Sequence, residues 1–110
     1  MPYIKYEDFS KLDIRTATII KVEDIDGADK LYKLHIDLGK EIGKKIICAG
    51  IKEFYSKKEL DGKTIIVIVN LEPRKLKGIL SEGMLLAADK NGKPILLTTD
   101  SKCESGKKIH

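Results

Sequence analysis

Apolar and polar positions alternate in short runs along most of the chain. Leu31 to Leu38 (LYKLHIDL) is the cleanest: Leu34, Ile36 and Leu38 share one parity, and Lys33, His35 and Asp37 share the other. That period of two predicts a strand with one face in a core and the other in water. Leu12 to Ile25 (LDIRTATIIKVEDI) sets Leu12, Ile14, Thr16 and Thr18 against Asp13, Arg15, Ala17 and Ile19, until Ile19 and Ile20 break the parity. A strand that changes its inward face needs a bulge or a sharp coil, and the small residues Ala17 and Thr18 suit that bend. Lys44 to Gly50 (KKIICAG) forms a hairpin with the Leu31 run across a Gly39–Gly43 turn. Thr64 to Val69 (TIIVIV) is β-branched at every position, as in strands buried on both faces or closed into a barrel. Met84 to Asp89 supplies the next strand, and Asn91-Gly92 turns it into Pro94 to Thr98.

Ile51 to Leu60 (IKEFYSKKEL) loses this period, and Ile51, Phe54 and Tyr55 fall on one helical face. Ser56, with Glu59 three residues on, is placed to cap a following turn. Asp26 to Lys30 (DGADK) is a turn by composition. Three strands, a short helix and two more strands is the chain order of the OB-fold, an all-β, five-stranded, partly open Greek-key barrel. The barrel is expected over about residues 12–90 of a single domain covering 1–110, with extensions at 1–11 and 91–110. Tyr3, Ile4, Tyr6 and Phe9 make the first extension apolar enough to pack on something, and the second is polar with Ile109 as a late anchor.

In the OB architecture, strands two and three and the one-two and four-five loops bind oligonucleotides or oligosaccharides. The four-five loop here is Asn70 to Gly83 (NLEPRKLKGILSEG), which carries Arg74, Lys75 and Lys77. Pro73 stiffens it, while Gly78 and Gly83 permit conformations or close approaches that side chains would block. Such long connections in compact domains usually do something. Lys30 lies in the one-two loop, with Lys33, His35 and Arg15 beside it, so the expected site is a shallow groove with cations at its rim. Arg74 can fork onto a phosphate, and Lys75 and Lys77 act as point charges. Asn70 and Ser81 either tie the loop ends together or contact ribose hydroxyls. Met84 is expected chiefly in the core, although a thioether at a groove edge can also pack on a base or a peptide.

Charge and composition sharpen this picture modestly. The 21 Lys+Arg against 17 Asp+Glu give a net charge of +4 and a mild bias toward anionic partners. Two Phe, four Tyr and no Trp leave little stacking capacity, which favours recognition of a folded RNA by shape and backbone. Cys48 and Cys103 have no second thiol at metal-ligand spacing, so no zinc site or other metal is expected, and Cys48 reads as a small buried hydrophobe. No secretory signal is visible in Met1 to Ser10 and no run reaches the length of a membrane span, so a cytoplasmic location and no membrane partner are expected. The two His are isolated and the carboxylates scatter through loops, so no enzyme and no cofactor are expected.

The segments DIRTATIIKVEDIDGADKLYKLHIDLG and ICAGIKEFYSKKELDGKTIIVIVNLEPRKLKGILSEGMLLAA resemble the tRNA-binding domain family. That family includes the C-terminal domain of bacterial methionyl-tRNA synthetases, archaeal synthetase beta subunits, free-standing structure-specific tRNA-binding proteins and related secretion chaperones. ADKLY, NLxPRKLxG and SxGMLLAA carry the resemblance, which covers nearly the whole chain. It implies a homodimer built through the terminal extensions, and binding at the outer corner of tRNA without reading an anticodon. The matching groove positions are Arg15, Lys30, Asn70, Arg74, Lys75, Ser81 and Met84. The chain departs from the family at Thr16-Ala17, where a Val-Gly pair is usual, and at a tail less rich in proline. The expected function is non-catalytic tRNA binding, alone or as an accessory to an aminoacyl-tRNA synthetase. The alternative is a peptide-binding secretion chaperone on the same dimer.

Overall fold

A computed structural model describes residues 1–110. In chain order its elements are α1 (Tyr6–Phe9), β1 (Ile14–Ile25), β2 (Ala28–Asp37), α2 (Gly39–Ile42), β3 (Lys44–Ala49), α3 (Lys57–Leu60) and β4 (Thr64–Ile68). There follow β5 (Arg74–Leu76), β6 (Ile79–Ser81), β7 (Met84–Leu85), β8 (Ala87–Lys90), β9 (Lys93–Leu96) and β10 (Lys108–Ile109). The main sheet runs β3-β2-β1-β4-β7, with β10 added on β1. It is the expected all-β, OB-type order, with α3 between the third and fourth strands. Its outer strands β3 and β7 exchange no ladder, so the sheet is not hydrogen-bonded into a continuous ring.

The length of β1 organises everything else, because its first part pairs with β4 and its second with β2. Between the pairs Ile19↔Ile36 and Lys21↔His35 the register slips by one residue, which makes Ile20 a bulge. The parity change expected of this strand therefore occurs, but three residues past Ala17. Ala17 and Thr18 stay in register with Ile65 and Thr64, and the strand coils only where β4 support ends. Ala17 and Ile19 face the main core before the bulge, and Val22 packs against it afterwards.

Leu34, Ile36 and Leu38 are buried as their parity demands, with Ile47, Leu60, Ile65 and Val67 opposite them. Each such aliphatic side chain stabilises the fold by about 1.5–3 kcal/mol on burial. A second cluster of Ile14, Ile66 and Ile68 lies apart, covered by Leu86 and by Ile109 of the tail. The late anchor thus docks, and it does so as a strand, through the pairs Ile14↔Ile109 and Arg15↔Lys108.

Two expectations need correction. Ile51 to Leu60 is not one helix: Phe54 and Tyr55 N–H groups close a turn on the Ile51 carbonyl, and only Lys57–Leu60 is helical. Tyr55 lies outside that helix, its carbonyl accepting from the Tyr32 hydroxyl while its own hydroxyl donates to the Pro94 carbonyl. The Ser56–Glu59 capping box forms as expected. The fifth strand is also broken. β7 leaves β4 after the Leu86 N–H bonds the Ile66 carbonyl, and β8 then pairs only with β9 across the Asn91-Gly92 turn.

The segment Ser81 to Gly83 spans the gap between the sheet's two outer strands. The Ser81 hydroxyl accepts from the Cys48 N–H at 2.9 Å, and the Glu82 N–H donates to the Ile46 carbonyl at 2.8 Å. Gly83 passes so close to β4 that a Cβ there would lie 2.9 Å from the Ile68 carbonyl oxygen. Gly83→Ala is expected to lower stability by about 1–3 kcal/mol, since the obstacle is backbone and cannot turn aside. Urea unfolding measures it; an unchanged midpoint would contradict the close approach.

Candidate nucleic-acid interface

The four-five connection is not an irregular loop. Arg74↔Ser81, Lys75↔Leu80 and Leu76↔Ile79 pair as a β-hairpin, closed by Lys77 and Gly78. Both turn residues have positive φ, 51° and 82°, the combination that matches the twist of a two-residue hairpin. Strand alternation then puts Arg74, Leu76 and Ser81 on one face, Lys75 and Leu80 on the other, and Lys77 at the tip. The three cations share one projecting hairpin, but they do not line one face as a single arch.

Two latches hold the base of this hairpin. Ser81 is buried, and its hydroxyl accepts from the Cys48 N–H and donates to the Gly83 carbonyl. Asn70 accepts from the Asp13 N–H at 2.8 Å and donates to the Lys11 carbonyl at 2.7 Å, fastening the start of the connection to the approach of β1. Of the two roles foreseen for Asn70 and Ser81, the structure gives each the tie.

Between the hairpin and β3 lies a cavity of about 450 Å³, lined on the hairpin side by Leu71, Glu72, Pro73, Arg74 and Leu76. Cys48, Ser81, Gly83 and Met84 complete it. Met84 is 48% exposed rather than in the core. Cys48 likewise is half-buried at the groove instead of fully buried; Ile47 and Ala49 take the inward positions and leave it the outward one. That parity was readable in KIICAG. Burial pushes the Cys48 thiol pKa up, and Lys33, its cross-strand neighbour, pulls it partly back. Lys33 therefore stands beside the groove. Lys30 is exposed at the start of β2 and does not line it.

Arg15 is the clear departure from expectation. Its side chain is 10% exposed, with Nε donating to Asp13 Oδ1 at 2.7 Å and Nη1 donating to Glu41 Oε2 and the Gly106 carbonyl, both at 3.3 Å. The hydrogen bonds to Asp13 and then Glu41 raise its pKa further, so it is a permanent cation with its donors already engaged. It clamps β1 to α2 and the tail, away from the Arg74 groove. His35 is tied up as well: its Nε2 lies 2.6 Å from Glu23 Oε1, a contact that, with Lys21, holds the Glu23 carboxyl below the usual range. By contrast Lys30, Lys33, Arg74, Lys75 and Lys77 take part in no ion pair. No three His, Cys, Asp or Glu side chains converge as metal ligands.

A small OB-type β module with an apolar groove under a free arginine and a cationic hairpin beside it belongs to the class that holds polyanions or peptides on one face. The family model described as "Putative tRNA binding domain" matches residues 14–108, and the chain belongs to that family. It is 52% identical over 107 residues to the methionine–tRNA ligase of Caldanaerobacter subterraneus subsp. tengcongensis, covering 97% of this chain and 16% of that protein. It is 48% identical over 109 residues to the methionine–tRNA ligase of Pyrococcus horikoshii, covering 99% and 15%. The chain thus spans about a sixth of the length of these curated relatives. Among solved structures it is similar to the CsaA chaperone protein from Picrophilus torridus, with a TM-score of 0.91 and 42% identity over 98% of this chain and 100% of that one. A MetRS-related protein from Pyrococcus horikoshii gives a TM-score of 0.92 and 32% identity over 100% of both chains.

Arg15→Ala is expected to lower the unfolding free energy by about 1–3 kcal/mol, because it strips a buried hydrogen-bonded clamp. Arg74→Ala, at an exposed site, should stay within about 0.5 kcal/mol of the parent. Parallel urea titrations separate the two; equal losses would mean Arg15 is not structural.

Proposed function

We propose that this chain binds folded tRNA through the Arg74 hairpin and groove, without catalysing chemistry on it, as a cytoplasmic accessory that raises the local tRNA concentration of a synthetase. The observation that carries this reading is the convergence of four unpaired cations on one groove and hairpin, out of the fifteen among 21 basic side chains that hold no carboxylate. Six other basic side chains, Lys11, Arg15, Lys21, Lys45, Lys52 and Lys57, already hold carboxylates, whereas Lys33, Arg74, Lys75 and Lys77 surround one groove and hairpin with none. Family membership and the similarity to methionine–tRNA ligases support tRNA as the polyanion. Tyr32, the one aromatic in a candidate groove strand, is buried with its hydroxyl on the Tyr55 carbonyl and offers a base no platform, which favours backbone recognition.

The reading extends to a homodimer. Met1, Tyr3, Ile4 and Tyr6 are at least 78% exposed, and α1 is a single turn. A helix that short does not persist unsupported in water, so a partner surface is the natural support for it. Sedimentation is expected to give twice the 12.3 kDa chain mass, and Tyr6→Asp to shift it toward one chain. A monomer at micromolar concentration would rule the dimer out.

A peptide-binding chaperone remains the second reading, favoured by the apolar groove lining and by the similarity to CsaA chaperone structures. Filter binding of bulk tRNA at two salt concentrations decides. Affinity should fall steeply with salt, and Arg74→Ala, Lys75→Ala and Lys77→Ala should each flatten the log–log slope by about 0.7–0.9. Salt-indifferent binding, or retention of unfolded peptide with no retention of tRNA, would favour the chaperone.

A further inference from the structure

The cavity beneath Arg74 has a lining that phosphate binding does not call for. Leu71, Pro73, Leu76 and Met84 supply most of it, with the Cys48 sulfur beside them. The Ser81 hydroxyl spends its only donor and one acceptor lone pair inside the protein. Two charged groups reach the cavity, Arg74 and Glu72, and neither is in an ion pair. A sugar-phosphate strand laid over such a surface would lose water from its oxygens without regaining hydrogen bonds, and Glu72 would repel it. An unstacked nucleobase meets the same surface on better terms. Its faces are apolar, its pairing edge carries N–H donors that a carboxylate can accept, and its own phosphate stays at the rim where Arg74 and Lys33 stand.

We propose that this groove takes one unpaired base, turned out of a loop of the bound tRNA, with Met84 and Leu71 against its face, Glu72 accepting from its edge and Arg74 on the adjoining phosphate. The inference rests on the tRNA-binding reading above. A volume of about 450 Å³ lies within the range of small-ligand pockets and has ample room for one base. No aromatic ring lines it, in contrast with the platforms that hold successive stacked bases. The soft thioether of Met84 serves instead, since sulfur packs favourably against π-systems.

Three probes and three variants test this. Wild type, Met84→Ala, Leu71→Ala and Lys75→Ala are each titrated with bulk tRNA, with a fully paired RNA duplex and with an unfolded apolar peptide, after thermal melts establish that each variant is folded. Met84→Ala and Leu71→Ala should each weaken tRNA binding about fivefold without changing its salt slope, and should leave duplex binding unaltered. Lys75→Ala, on the opposite face of the hairpin, should flatten the salt slope for both RNAs. If both groove variants bind tRNA like wild type while Lys75→Ala still flattens the slope, the base pocket is wrong and tRNA binding stands. If the groove variants weaken only the peptide, the groove is a peptide site and the proposal is overturned. If wild type binds no tRNA at any salt, the tRNA reading itself fails and takes the base pocket with it.

Discussion

The Ser81–Gly83 segment hydrogen-bonds the free edge of β3 through the Cys48 and Ile46 backbone groups, and Gly83 then runs against the Ile68 carbonyl. An uncovered strand edge invites pairing with other chains, and an isolated two-stranded hairpin is marginal in water. This one crossing answers both problems. It caps β3 without a ladder, and it gives the β5–β6 hairpin a footing that its own few backbone bonds would not supply. The groove is the space left between the footing and the hairpin, so its width depends on how closely Gly83 can approach β4.

The electrostatic footprint is likewise a matter of which cations the fold leaves unused. A net charge of +4 is small for a nucleic-acid binder. Six of the 21 basic side chains are spent on carboxylates, as with Lys57 and Lys52, which share Asp24 and hold its carboxyl below the usual range. Exposed pairs of this kind contribute little stability, yet they subtract charge from the outer field. Of the basic side chains that hold no carboxylate, Arg74, Lys75 and Lys77 crowd one short hairpin and Lys33 stands beside Cys48 at its groove. Local excess, not total charge, sets the attraction for a polyanion.

Most of the fold was legible in the period of two. Leu34, Ile36 and Leu38 face inward, Ser56 and Glu59 form their box, and Asn91-Gly92 turns where its composition says it should. The site was legible in part. Arg74, Lys75 and Lys77 were visible as a cationic cluster, but Lys77-Gly78 is a weaker hairpin signal than Asn-Gly, and the pairing that splits the cluster between two faces went unseen. Arg15 was misread because only one of its partners, Asp13, is local, while Glu41 lies 26 residues away and Gly106 lies 91. Local pattern cannot show that a polar tail will return as β10 and enclose a charge. Met84 belonged to an apolar run, and its place in β7, where the neighbouring Leu85 packs on the main core, leaves it outward over the groove.

In this chain a free arginine stands beside an apolar floor, and the structures it is similar to carry names as different as chaperone and synthetase-related protein. A nucleotide and an acidic, apolar peptide both offer an anion beside a greasy surface, so the groove by itself discriminates weakly between them. Discrimination comes from reach. The floor can be filled only once, whereas each phosphate met by Lys75 or Lys77 outside the groove adds its own released counterion. A densely phosphorylated, folded chain can engage the groove, the tip and the back of the hairpin together, and a short peptide cannot. On the proposed reading, selectivity for RNA resides less in the pocket than in the cations around it.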